Sequence, residues 1–207
     1  MNWNRHSNLE GSHAFLSASK YTWLGKSNEE IAQAYTNSYA TTIGTMVHSY
    51  AADSIRFREK IRKSDARGLK FDLMRRGIPE FAIDIRTFFS TVMSYVNDCI
   101  DYRMDPEILL YYSDLCFGTA DAIQVSGDIL RIHDLKTGST QAKIEQLMIY
   151  AGLFFHEYGY KPERMRTELR IYQNDDILIY EPEVNEIREV MKAIVEKDRV
   201  LQKLKEV

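Results

Sequence analysis

Cysteine occurs only twice in the 207 residues, at Cys99 and Cys116, and proline only four times, at positions 79, 106, 162 and 182. Two cysteines so far apart cannot build a disulfide framework, a four-cysteine zinc site or an iron–sulfur cluster from one chain, and they point to a reducing, cytoplasmic setting. No run of about 18 or more apolar residues is present, so no membrane span is expected. Met1-Asn2-Trp3-Asn4-Arg5-His6 also lacks the apolar stretch of a signal peptide. Positive charge is not in excess: 27 Lys and Arg stand against 30 Asp and Glu, for a net charge of −3. That balance argues against a protein that grips nucleic acid by bulk charge, although local fields matter more than the total. Internal repeats, low-complexity tracts and Gly/Ser-rich linkers are missing as well.

What remains is 44% hydrophobic and 28% charged, enough to bury one core, so residues 1–207 are expected to form a single domain. Its first part, about 1–105, reads as helical. Ser27-Asn28-Glu29-Glu30 has the form of a capping box, with helix following in pieces towards Arg62, and a further helix is expected from Pro79 through Phe88, Val92, Tyr95 and Val96. The second part, about 106–207, changes period. Runs at 107–112, 115–125 and 129–135 read as strands, 144–158 as helix, 165–172 and 177–180 as strands, and 183–205 as a terminal helix. Blocks in this order indicate a mixed α+β sheet flanked by helices.

One stretch is locally basic. Between Arg56 and Arg76 nine Lys and Arg residues stand against Glu59, Asp65 and Asp72, which suits either a solvated helix and loop or contact with phosphates. Near the N-terminus Phe15, Tyr21 and Trp23 fit core packing better than stacking on bases.

The chemistry concentrates around Asp134-Leu135-Lys136-Thr137-Gly138 and the earlier Gly118-Thr119-Ala120-Asp121. An acid, a one-residue gap and a lysine place a carboxylate and an ammonium on one face of a strand. With Ser126-Gly127 as a two-residue turn, Val125 would face Asp128 and Asp121 would face Ile132, leaving Asp134 diagonal to Asp121 on the same face. A three-residue turn would put the two acids on opposite faces. Adjacent carboxylates repel unless something positive neutralises them, and an oxygen-rich site favours Mg²⁺ or Mn²⁺. Gly44-Thr45-Met46-Val47-His48 precedes this pair, and Gln146 and Tyr150, one helical turn apart, follow it.

Taken in order, G-x-x-x-H at 44–48, G-x-x-D at 118–121, D-x-K-T-G at 134–138 and Q-x-x-x-Y at 146–150 resemble the RecB-like branch of the PD-(D/E)XK nuclease superfamily. That branch includes phage recombination exonucleases related to lambda exonuclease, and the CRISPR adaptation nucleases. The resemblance implies an α/β, restriction-endonuclease-like core. It also implies metal ligation by His48, Asp121, Asp134 and the Leu135 carbonyl, with Glu107 as a subsidiary acid for a second metal or a water-mediated contact. Lys136 would be the catalytic lysine, with Gln146 and Tyr150 supporting the site or touching the DNA strand. The iron–sulfur cysteines of some relatives have no counterparts here, so no cluster is expected.

The activity so implied is a Mg²⁺- or Mn²⁺-dependent DNA exonuclease serving recombination, repair or phage replication. The alternatives are a structure-specific endonuclease on the same fold and a non-catalytic DNA-binding or assembly subunit. DNA is the expected partner; a single-strand annealing protein is a further one by resemblance, and a homo-oligomer remains open. Arg164, Arg166 and Arg170 alternate with apolar residues, which suits either a solvent-facing row or a phosphate track leading towards the metal.

Overall fold

The computed structural model describes residues 5–138 and 140–205; Met1 to Asn4 of the N-terminal stretch lie outside them. Six α-helices and five strands are described: α1 (Asn28–Asn37), α2 (Ala40–Arg56), α3 (Ala66–Arg75), α4 (Phe89–Asp101), β1 (Asp105–Ser113), β2 (Cys116–Ser126), β3 (Ile129–Lys136), α5 (Glu145–Tyr158), β4 (Arg166–Gln173), β5 (Asp176–Tyr180) and α6 (Val184–Lys205). The strands form one sheet in the order β1-β2-β3-β4-β5. Every pairing is antiparallel except β3 with β4, which α5 joins as a crossover. A mixed sheet flanked by helices is thus the architecture, consistent with a restriction-endonuclease-like fold. Among the described residues no helix is long and apolar enough to cross a membrane.

Two apolar layers sandwich the sheet. On one side Val47 and Ile55 of α2, Leu73 of α3, and Val92 and Val96 of α4 pack with Ala122, Leu135 and Tyr172 of the strands. On the other, Leu147, Ala151 and Phe155 of α5, and Ile187 and Ile194 of α6, pack with Leu130, Ile132, Leu169 and Ile171. Strands β3 and β4 are therefore covered on both faces, and they carry the polar His133, Asp134, Thr167 and Glu168 into the interior.

The capping box forms: Ser27 Oγ accepts from Glu30 N at 3.2 Å, and Ser27 N donates to Glu30 Oε2 at 2.7 Å. The helix expected from Pro79 does not. Residues 79–88 instead make two short 3₁₀ turns, Glu80–Ala82 and Ile85–Thr87, and α4 begins only at Phe89. Asp84 supplies the reason, since its side chain accepts from Arg86 N and its carbonyl accepts from Thr87 Oγ1, local bonds that compete with a helical backbone. Helix α3 lies inside the basic stretch. There Arg56, Lys60, Lys70 and Arg75 pair with Asp53, Asp101, Glu80 and Asp72, so much of that charge is spent within the protein.

The β2–β3 hairpin departs from the expected register by two residues. Ser126 pairs with Ile129 and Val125 with Leu130, so the turn is Gly127-Asp128, with Gly127 at φ 60° in the left-handed position that such turns need. A shift of two preserves the faces. The ladder ends at Ala122 and His133, and beyond it Leu135 N donates to the Asp121 side chain.

Candidate metal centre

Besides a register shift between Tyr111 and Ser113, strand β1 is irregular at the point that matters. Pro106 pairs with Ala122 and Ile108 with Ala120, which sets Glu107 across from Asp121, yet these two form no ladder pair. Glu107 has φ 56°, the left-handed region that a glutamate enters only at a cost of roughly 1–2 kcal/mol. Opposite it, Ala120 belongs to the α5–α6 layer while Ala122, two residues on, belongs to the α2–α4 layer. The alternation of sides slips at Asp121. Both carboxylates therefore stand in a seam where the hairpin changes faces, and α2 brings His48 over it.

His48, Glu107 and Asp121 each offer a ligand atom, and the three atoms lie within 4.8 Å of one another. His48 Nδ1 is 3.4 Å from Asp121 Oδ2, and the same oxygen accepts from Leu135 N at 2.9 Å. Leu135 thus enters the site through its amide. A cleft of about 600 Å³ opens onto the three ligands and runs along α2, past Gly44, Thr45 and Ser49 to Arg56.

Asp134 is 1% exposed, and Lys136 holds it. Lys136 Nζ donates to Asp134 Oδ1 at 3.0 Å and to Gln146 Oε1 at 3.0 Å, and Gln146 Nε2 donates to Tyr150 OH at 3.1 Å. Asp134 Oδ2 is 2.9 Å from the same ammonium but outside hydrogen-bond geometry, so this buried oxygen accepts no hydrogen bond. The ionic contact is real at that distance, while the lone pairs of Oδ2 remain open to a further positive partner.

The electrostatics agree with that vacancy of charge. Burial, followed by the negative charge of Asp121, pushes the Asp134 carboxyl up to about 6, against the pull of Lys136 and His48. Glu107 is raised by partial burial and by Asp121. His48 is raised chiefly by its bond to Asp121, which outweighs its burial. Three acids and one imidazole thus compete for too little positive charge, and a divalent cation would relieve them.

Of the residues singled out from the sequence, the fold brings together two adjoining groups: His48, Glu107 and Asp121, and Asp134, Lys136, Gln146 and Tyr150. Glu107 belongs to the first outright. The arginine row is the correction. Arg164 lies in a 3₁₀ turn before β4, and β4 pairs His133 with Arg170 and Asp134 with Ile171, which puts Arg166 and Arg170 on the opposite side of the sheet from Asp134 and Lys136. Arg170 is consumed there: it donates to Glu168 Oε1 at 3.0 Å and to Tyr102 OH at 2.9 Å, and its guanidinium lies over the Tyr102 ring. Arg166 faces Glu168 and Glu181. This row does not track towards the candidate centre.

Two glycines contribute in a way their spacing alone did not disclose. A Cβ on Gly118 would stand 2.9 Å from Tyr150 Cε1, and one on Gly44 would stand 3.3 Å from Thr137 Oγ1. Gly118 lets α5 lay its tyrosine against β2, and Gly44 lets α2 close onto the segment after β3.

The family described as "Protein of unknown function (DUF2800)" matches residues 13–201, and the chain belongs to it. No solved structure matches the chain.

Proposed function

We propose that this DUF2800 member is a Mg²⁺- or Mn²⁺-dependent deoxyribonuclease, acting as an exonuclease. The observation that carries the reading is the convergence of His48, Glu107 and Asp121 beside a buried, hydrogen-bond-deficient Asp134 that faces a lysine. The motif order, which resembles the RecB-like PD-(D/E)XK nucleases, supports it independently. Hard oxygen donors with one imidazole suit these ions.

His48, Glu107 and Asp121 would hold the ion, with the Asp134–Lys136 pair beside them. Such an ion supplies Lewis-acid polarisation of a phosphoryl oxygen and makes a water acidic enough to attack at neutral pH. The chain's own groups do the rest. Leu135 N–H fixes one oxygen of Asp121, so the carboxylate cannot rotate away from His48. Lys136, held between Asp134 and Gln146, keeps an ammonium where it can orient the attacking water or offset charge gathering on the phosphoryl group. Tyr150 holds Gln146, and Gly118 makes room for Tyr150.

The test is digestion of end-labelled linear and circular DNA, single- and double-stranded, with Mg²⁺, Mn²⁺ or EDTA. Mononucleotide release from linear DNA, abolished by EDTA and absent on circles, is the expected result. Cleavage of circles would make it an endonuclease, and no cleavage in either metal would remove the enzymatic reading.

Gly118→Ala probes the supporting chain. Its new methyl displaces the Tyr150 ring, freeing Gln146 and loosening Lys136. Turnover is expected to fall about ten- to a hundred-fold, the usual cost of disturbing groups behind a metal site, with KM and the unfolding midpoint little changed. Steady-state kinetics beside urea denaturation separate this from simple misfolding.

A further inference from the structure

Among the described residues, the helical layer of α2–α4 reaches Glu107 and Asp121, and beyond them the side of the β1–β2 hairpin away from α5 is exposed. Leu109 pairs with Thr119 and Tyr111 with Phe117, and alternation with Leu110 and Gly118, which face α5, puts these four residues on the side of the hairpin away from α5. Leu109 is 52% exposed, Tyr111 41% and Phe117 57%. The inner side of the hairpin behaves oppositely: Leu110 and Ala120 are fully buried in the α5–α6 layer. Three large apolar side chains in water, grouped on one side of a hairpin, form a patch and not a scatter.

We propose that this patch is a stacking platform for the unpaired bases of a DNA strand whose phosphate lies at the candidate metal centre, so that the preferred substrate is single-stranded or frayed at its end. The inference rests on the nuclease reading. Three features select this occupant. The platform continues directly from two metal-ligating residues, at roughly 7 Å for Leu109 and 14 Å for Tyr111 along the strand. Its four outward residues carry no charge, which suits the faces of nucleobases and leaves phosphates to the cation. Tyr111 is braced, its hydroxyl donating to Asp114 Oδ1 at 2.8 Å and its amide donating to Glu157 Oε2 at 2.7 Å, so the ring is presented at little entropic cost. Aromatic side chains bind successive bases without regard to sequence, because every base has a π-face.

The experiment measures binding, not cleavage. Fluorescence anisotropy of a labelled oligothymidylate and of a blunt duplex is followed in Mg²⁺ with the full chain in a Lys136→Met background, which keeps the cation ligands and lowers turnover, with its Phe117→Ala and Tyr111→Ala variants, and with Leu178→Ala, an exposed apolar residue on β5, as control. Thermal unfolding and sedimentation velocity are recorded for each. Expected are tighter binding to the single strand than to the duplex, about a ten-fold loss for each platform variant, undiminished affinity in the control, and unchanged melting. Phe117→Leu, which keeps apolar bulk without a π-face, replaces Phe117→Ala if the latter melts early, and is expected to lose affinity as well.

Unchanged affinity in folded platform variants, or no measurable single-strand binding, overturns the proposal. So does a variant that shifts the protein from oligomer to monomer while DNA affinity holds, which would make the patch a contact between copies. Ring-dependent binding without cleavage by the wild type in Mg²⁺ or Mn²⁺ would leave the platform standing and remove the nuclease. Cleavage with ring-independent binding would do the reverse.

Discussion

Asp121→Asn is expected to reduce metal-dependent DNA cleavage by at least about 10²–10³-fold, the size of losing a single group that manages charge at a reacting centre. The asparagine oxygen can still accept from Leu135 N, so the hairpin should hold its place; what disappears is the negative charge that partners His48 and raises Asp134. Cation binding should disappear with it. In the wild type a divalent ion at about 100 times its Kd would stabilise the fold by about 2.7 kcal/mol, seen as a higher melting point, and the variant should show almost none of that rise. Lys136→Met offers the contrast. It removes the ammonium and leaves His48, Glu107 and Asp121 in place, so turnover should fall while the cation-induced rise persists. Full turnover in Asp121→Asn would end the assignment of the centre.

The second large effect concerns acid. His133, on β3 beside Asp134, is fully buried, and burial together with Arg170 and Arg131 lowers it to about 3 from an ordinary 6.5. Between those values the unfolded chain binds a proton that the folded one refuses. Its contribution to stability is complete above pH 6.5 and declines as pH falls, by about 1.4 kcal/mol per unit. Asp134 works the other way. Its folded value of about 6 lies above the ordinary 3.8, so between these the folded chain keeps a proton that the unfolded one has released. Acidification from pH 6 to 4 therefore recovers stability at a similar rate, and in EDTA the two neighbours nearly cancel.

Variants should split them. Asp134→Asn should lose about 2 kcal/mol relative to wild type between pH 6 and pH 4, and His133→Gln should gain about as much or slightly more. Urea midpoints at pH 6, 5 and 4 in EDTA measure both. Parallel pH dependences for all three proteins would show that these two groups do not titrate as their burial dictates.

Much of the architecture was legible. Strands β1 to β5 fall within about two residues of the apolar runs that announced them, because β-branched and aromatic stretches bounded by turn residues leave little choice. The Ser27 cap was equally plain. The hairpin register was not, since Ser126-Gly127 and Gly127-Asp128 are both acceptable two-residue turns and each keeps the paired residues of β2 and β3 on the same faces; only packing on both sides of β3 chooses. Pro79 misled because a proline that can open a helix can equally open a 3₁₀ turn, and Asp84 decides. Arg170 could not have been placed, as its partners Tyr102 and Asp98 lie about 70 residues away in the chain. The slip of faces at Glu107 and Asp121 left no trace in composition or period, although it is what makes Glu107 a member of the ligand group and not a bystander.

The left-handed Glu107 has a practical consequence for anyone wishing to harden this protein. A stabilisation campaign that ranks positions by backbone discomfort would replace it with glycine, relieving the outlier, and the product would be a sturdier scaffold with one anchor for its ion removed. Robustness and chemistry are here set against each other at a single residue.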